Sequence, residues 1–188
     1  MVQSKLKSTE NKLIQEMLKN HPLLNFSIYT HSQIKILTDF GNDILNTLNK
    51  FSQKIDGAEF EKAYGLIWLW ILGAYEVLRT MKEAKDCFSE KIISDLLMLE
   101  SKLSRIRVPF AKQQYKDNKS KNRHHEYVQG GELSVKFYGG KDIGYEIEGE
   151  IFSFRKLYSE FKKFTKQIKK DDIKNHIRNS KNNYTFPR

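Results

Sequence analysis

Between Gly65 and Tyr75 the chain reads Gly-Leu-Ile-Trp-Leu-Trp-Ile-Leu-Gly-Ala-Tyr, eleven residues without a charge. A membrane-spanning helix needs about 20 apolar residues. Glu59 and Glu61 precede this run and Glu76 follows it directly. A helix that is apolar on most sides and this short belongs at the centre of a bundle, covered by neighbours. The run therefore predicts a helical protein built around it. Tyr64, Trp68, Trp70 and Tyr75 are expected in the core rather than on a base-stacking platform.

The rest of the chain supplies the covering helices. Leu13, Ile14, Met17 and Leu18 give one apolar face over roughly 8–20, and His21-Pro22 ends it, since a residue before proline avoids the helical region. A second helix is predicted over 31–54, where Ile34, Leu37, Phe40, Ile44, Leu45, Leu48 and Phe51 recur at threes and fours. Thr30 with Gln33 fits a capping box at its start, and Asp56 with Glu59 repeats that signature before the third helix, 57–86. A fourth, 89–107, carries Ile92, Ile93, Leu96, Leu97, Leu103 and Ile106 up to a break at Val108-Pro109. Gln113–Gly131 is polar and aperiodic, the mark of a long loop.

Beyond it the period changes to two. Leu133, Val135 and Phe137 alternate with polar residues, Gly139-Gly-Lys-Asp142 suits a turn, and Ile143, Tyr145 and Ile147 alternate again. This is a β-hairpin pattern, and an isolated hairpin is marginal in water, so it must pack on the helices. Ser153 can cap a last helix whose apolar stripe is Phe154, Leu157, Phe161, Phe164 and Ile168. The expected fold is mainly α: a four-helix bundle extended by a β-hairpin and a C-terminal helix. Its parts are a bundle over 1–118, a basic flexible loop over 119–131, the hairpin and helix over 132–170 packed on the bundle, and a basic tail over 171–188.

The 188 residues suit one domain, and a single cysteine, Cys87, excludes an internal disulfide and suits a reducing compartment. Met1–Glu10 lacks the apolar core of a signal peptide, so a cytoplasmic protein with no membrane partner is expected. The net charge of +10 invites a polyanion. Its distribution is uneven: residues 102–125 hold eight basic and one acidic residue, residues 161–188 nine and two, and the remainder is net acidic. Candidate nucleic-acid contacts are Arg105, Arg107, Lys112, Lys116, Lys119, Lys121 and Arg123 in the first segment and Lys162, Lys163 and Lys166 in the second. Of the 33 basic residues 26 are Lys, so a solvated lysine-rich surface is the competing account.

Candidate catalytic groups lie beside the apolar run. Glu76 and Arg79, three apart, share a helix face, and Arg107 lies near the end of the fourth helix. An antiparallel third and fourth helix would leave Arg79 nearer Ile92 than Arg107, so Glu76, Arg79 and Arg107 need not form one site. An ion pair that anchors the bundle end is the alternative reading of Glu76. His124-His125-Glu126 offers no third metal ligand by spacing, and Glu146, Glu148 and Glu150 read as the solvent face of the hairpin, so neither a metal nor a cofactor is expected. Gly130-Gly131 and Gly139-Gly140 lack the strand–loop–helix context of a phosphate-cradling loop, and there is no serine nucleophile elbow or zinc-protease helix motif.

A helical bundle with Arg105-Ile-Arg107-Val-Pro-Phe-Ala-Lys112 where a late helix ends resembles the HEPN superfamily (higher eukaryotes and prokaryotes nucleotide-binding), over about residues 31–118. The resemblance implies dimers, and in the nuclease members metal-independent RNA cleavage by an Arg and a His with four to six residues between them. Here Lys112, Gln113 and Gln114 follow Arg107 at five to seven positions, with no His. A lysine with a pKa of about 10.4 stays protonated and makes a poor base. The expectation is thus a divergent, non-catalytic HEPN-like module associated with RNA, in a prokaryotic defence or toxin–antitoxin setting. The alternatives are a ribonuclease with a non-standard site at Glu76, Arg79 and Arg107, and a structural or protein-interaction module, for which an exposed apolar stripe on the first helix or the hairpin would speak.

Overall fold

A computed structural model describes residues 12–51, 57–112, 134–138, 141–147 and 149–174; for 108–112 and 134–138 it describes the backbone alone. Residues 12–20 form α1, and a 3-10 turn, Pro22–Asn25, leads to α2, Ile28–Lys50. Next come α3, Gly57–Glu83, a 3-10 turn, Lys85–Cys87, and α4, Glu90–Lys112. Strands β1, Ser134–Tyr138, β2, Asp142–Ile147, and β3, Glu150–Ser153, precede α5, Phe154–Gln167, and a last 3-10 turn, Lys170–Asp172. Among the described residues no helix is long and apolar enough to cross a membrane.

Helices predominate, as the apolar periodicities require, and a small antiparallel sheet packs against them. Trp70, in the middle of the apolar run, is the hub. Its side chain is fully buried, and its indole N–H donates to the Leu37 carbonyl of α2 at 2.9 Å. Phe154, Tyr158 and Phe161 of α5 meet it edge to face, with ring centroids 5.3, 5.8 and 5.3 Å away. One side chain so joins three helices. The five buried residues of α5, Phe154, Leu157, Tyr158, Phe161 and Phe164, repeat at threes and fours, and burying each large apolar group contributes about 1.5–3 kcal/mol. Ser153 caps this helix as expected, its side chain accepting from the Lys156 N–H.

The sheet has the order β1-β2-β3. Val135 faces Tyr145 and Phe137 faces Ile143 across the first pair, as the hairpin pattern predicts, and Ile143, Tyr145 and Ile147 are buried. The third strand is a correction to the two-stranded hairpin. Gly149 takes φ +77°, a left-handed conformation that suits glycine, and turns the chain back so that Tyr145 pairs with Phe152. Glu150 consequently leaves the row expected with Glu146, opposing Ile147 from the neighbouring strand.

Three helix expectations also change. α2 starts at Ile28, because Ser27 is extended and its Oγ accepts from the Thr30 N–H at 3.2 Å. Thr30 then lies inside the first turn, buried, rather than at the cap. α4 continues through Pro109 to Lys112: proline's fixed φ is helical, and in the last turn the price is one backbone hydrogen bond. The apolar run of α3 is also not enclosed on every side. Trp68 is 36% and Leu69 52% exposed, since the packing of α2, α4 and α5 leaves that flank open. The chain after α5 is tied back: Ile173 bridges to Phe88, and the Ser89 N–H and side chain both reach Asp172 at 2.8 Å. The basic loop 119–131 and residues 175–188 of the tail, like the Asp56 cap, lie outside the described residues.

Candidate nucleic-acid interface

Glu76, Arg79 and Arg107 do come together. The Arg79 Nε donates to Glu76 Oε2 at 2.8 Å, an Arg107 terminal nitrogen lies 3.5 Å from the other carboxylate oxygen, and Arg79 also reaches Glu83 at 2.7 Å. The antiparallel register explains why the expected separation fails. Lys82, near the end of α3, pairs with Glu100 in the middle of α4 at 3.0 Å, so α4 begins beyond the end of α3 and runs back alongside it. Position 107 is thereby level with position 76.

Chemically this cluster is a clamp. The hydrogen bond that Arg79 donates to Glu76, then the charges of Glu76 and Glu83, push the Arg79 pKa above its ordinary value, so the guanidinium holds its proton throughout the working range. The Arg107 guanidinium sits over the Tyr75 ring, 5.0 Å from its centroid, and its Nε is buried without a hydrogen-bond partner among the described residues. Two guanidinium groups around one carboxylate can position an anion.

Two further basic residues of α4 are likewise engaged. Arg105 pairs with Glu150 and covers the Phe152 ring at 5.0 Å. Lys102 donates to both oxygens of Glu160 at 2.8 and 2.9 Å, joining α4 to α5. The side chain of Lys112, and Lys116, Lys119, Lys121 and Arg123 altogether, lie outside the described residues.

The basic residues of α5 are placed differently. Lys163 and Lys166 are exposed, and Lys162 leans over the Tyr158 ring at 5.6 Å with its ammonium 3.4 Å from Asn42 Oδ1. Lys156, one heptad before Lys163, is exposed on the same face. Arg155 joins them from the side, held by the Lys141 carbonyl at 2.8 Å and Asn49 at 2.7 Å. All these partners are neutral. Among the described residues no carboxylate pairs with Arg155, Lys156, Lys162, Lys163 or Lys166. Lys156 and Arg155 were missed because they precede the charge-rich 161–188 segment, although the seven-residue spacing to Lys162 and Lys163 puts them on one face.

The face is held rigidly. The Asp142 carboxylate accepts from the Ser153 hydroxyl and from the Arg155 N–H at 3.3 Å, which fixes the start of α5. The Tyr158 hydroxyl donates to the Thr38 carbonyl at 2.8 Å, and burial, then the charge of Asp39, raises its pKa, so it remains a donor. Gln167 donates to Asp95 at 2.6 Å on the other flank.

Elsewhere the described residues offer less. His21 and His31 meet edge to face at 5.1 Å, and burial, then His21 and Lys35, lowers the His31 pKa. No group of three or more His, Cys, Asp or Glu side chains could hold a metal ion among them; His124, His125 and Glu126 lie outside. Burial raises the Cys87 pKa, which keeps the thiol in its unreactive form. Set against protein-family models, curated proteins and solved structures, the chain matches none of them.

Proposed function

We propose that the chain is a non-catalytic module that associates with RNA by holding phosphates on the outer face of α5. One observation carries this reading. Among the described residues Arg79, Lys82, Lys102, Arg105 and Arg107 each have a carboxylate partner, whereas Arg155, Lys156, Lys162, Lys163 and Lys166 have none. Cations already neutralised inside the protein gain little from a phosphate, whereas unpaired ones release counterions when they bind it.

The test is binding of labelled RNA at low salt. The combined substitution Lys156→Gln, Lys163→Gln, Lys166→Gln is expected to weaken binding at least tenfold with the melting temperature unchanged, while Arg107→Ala leaves it within about twofold. Absence of binding, or equal binding by the triple variant, overturns the reading.

Two observations favour other readings. The convergence of Glu76, Arg79 and Arg107 favours a ribonuclease, for which metal-free RNA cleavage lost in Arg107→Ala is the sign. Leu13, Ile14 and Met17 of α1, 62, 47 and 47% exposed, favour a protein-interaction module; a homodimer in solution that Met17→Glu dissociates would support it.

A further inference from the structure

The composition and rigidity of the α5 face narrow the kind of nucleic acid it fits. Single-strand binders combine a basic groove with aromatic rings on which bases stack. No ring is available on α5: Phe154, Tyr158, Phe161 and Phe164 are all buried in the core. Base reading in a groove is made most specific by bidentate arginine, asparagine or glutamine side chains aimed outward. The one guanidinium here, Arg155, is turned back onto Lys141 and Asn49, and the exposed positions are lysines with Ser159 among them. What remains is a set of point charges on a rigid rod. At 1.5 Å per residue Lys156 and Lys163 stand about 10.5 Å apart along the axis and Lys156 and Lys166 about 15 Å. The Ser153–Asp142 cap at one end and the Lys102–Glu160 pair along the side hold that spacing. Lysines rooted at fixed intervals on a rigid helix meet the regularly spaced phosphates of a duplex at less ordering cost than those of a flexible single strand, which must first be ordered.

We propose that the outer face of α5 binds a nucleic-acid duplex through its phosphates, without reading bases. This rests on the reading of α5 as the phosphate-binding face. The experiment titrates the full chain, by fluorescence anisotropy, into a two-turn RNA duplex, its separated non-pairing strand and the DNA duplex of the same sequence, at several salt concentrations. The RNA duplex is expected to bind at least tenfold tighter than the strand. With about five phosphates neutralised, log K should fall against log salt with a slope of about −4.5, and the Lys156→Gln, Lys163→Gln, Lys166→Gln variant should flatten it by about 2.7. The corresponding triple Lys→Arg variant should keep the wild-type slope, separating loss of charge from loss of fold. Tight binding of both duplexes supports recognition of phosphates alone; binding of the RNA duplex only supports the proposal with the A-form source. A strand that binds as well as the duplex overturns the duplex proposal and leaves RNA association standing. A chain that binds only the DNA duplex supports the duplex proposal and overturns RNA association, and one that binds no nucleic acid overturns both.

Discussion

Gly41 shows how a single position governs the union of two helices. A Cβ there would stand 2.2 Å from Cε2 of Tyr158, so the glycine is required by the close approach of the ring rather than by its own backbone. Gly41→Ala is expected to cost about 1–3 kcal/mol through overpacking, read as a lower denaturation midpoint. If the ring is the obstacle, Tyr158→Leu in the same chain should recover part of that loss. None of this is legible in the sequence, where Gly41 is one more weak helix former among periodic apolar residues. The Ser153 cap was legible, because a serine before a clean amphipathic run has one obvious task. The α2 cap was not: Ser27 and Thr30 are both competent, and the choice depends on the extended backbone at Ser27. Convergence of Glu76 with Arg107 was also hidden, since it depends on how far α4 overshoots α3.

At the scale of elements, α5 was the most legible part of the chain. Its apolar residues recur without interruption and its polar ones fill the opposite face, so burial and exposure follow from the period alone. The third strand was not readable because one glycine turn splits an apparent run of alternating glutamates. The start of α5 nevertheless depends on that sheet through Asp142, which accepts from Ser153 and Arg155 across the turn into the helix. Asp142→Ala therefore removes support from the cap and from β2 together. It should lower stability by about 1–2 kcal/mol, measured by urea denaturation. Ser153→Ala combined with it should add less than its separate effect, because the two side chains act as a unit.

For the whole molecule, charge is organised by partnership more than by total. Arg79, Lys82, Lys102, Arg105 and Arg107 are paired with carboxylates, whereas among the described residues Arg155, Lys156, Lys162, Lys163 and Lys166 on α5 are not; composition revealed the excess but not which residues are neutralised. The chain is also closed on itself, with Phe88–Ser89 before α4 holding Asp172–Ile173 after α5. The Lys169 N–H and the Ser89 hydroxyl lower the Asp172 pKa, so the ionised form favours the fold. That contribution is complete above the unfolded value of about 4 and is lost as pH falls through the lower folded value. An acid titration should open this closure, seen as a lower protection factor against amide exchange at Lys174, whose N–H donates to the Cys87 carbonyl at 2.8 Å. In Asp172→Asn that pH dependence should vanish.

Two residues apart in one helix, Trp70 is sealed in the core and Trp68 meets solvent. The chain thus carries two built-in reporters, one emitting from an apolar cage of rings and the other open to a dissolved quencher. Iodide would silence Trp68 and leave Trp70, whose emission shifts to the red only when α2, α3 and α5 part.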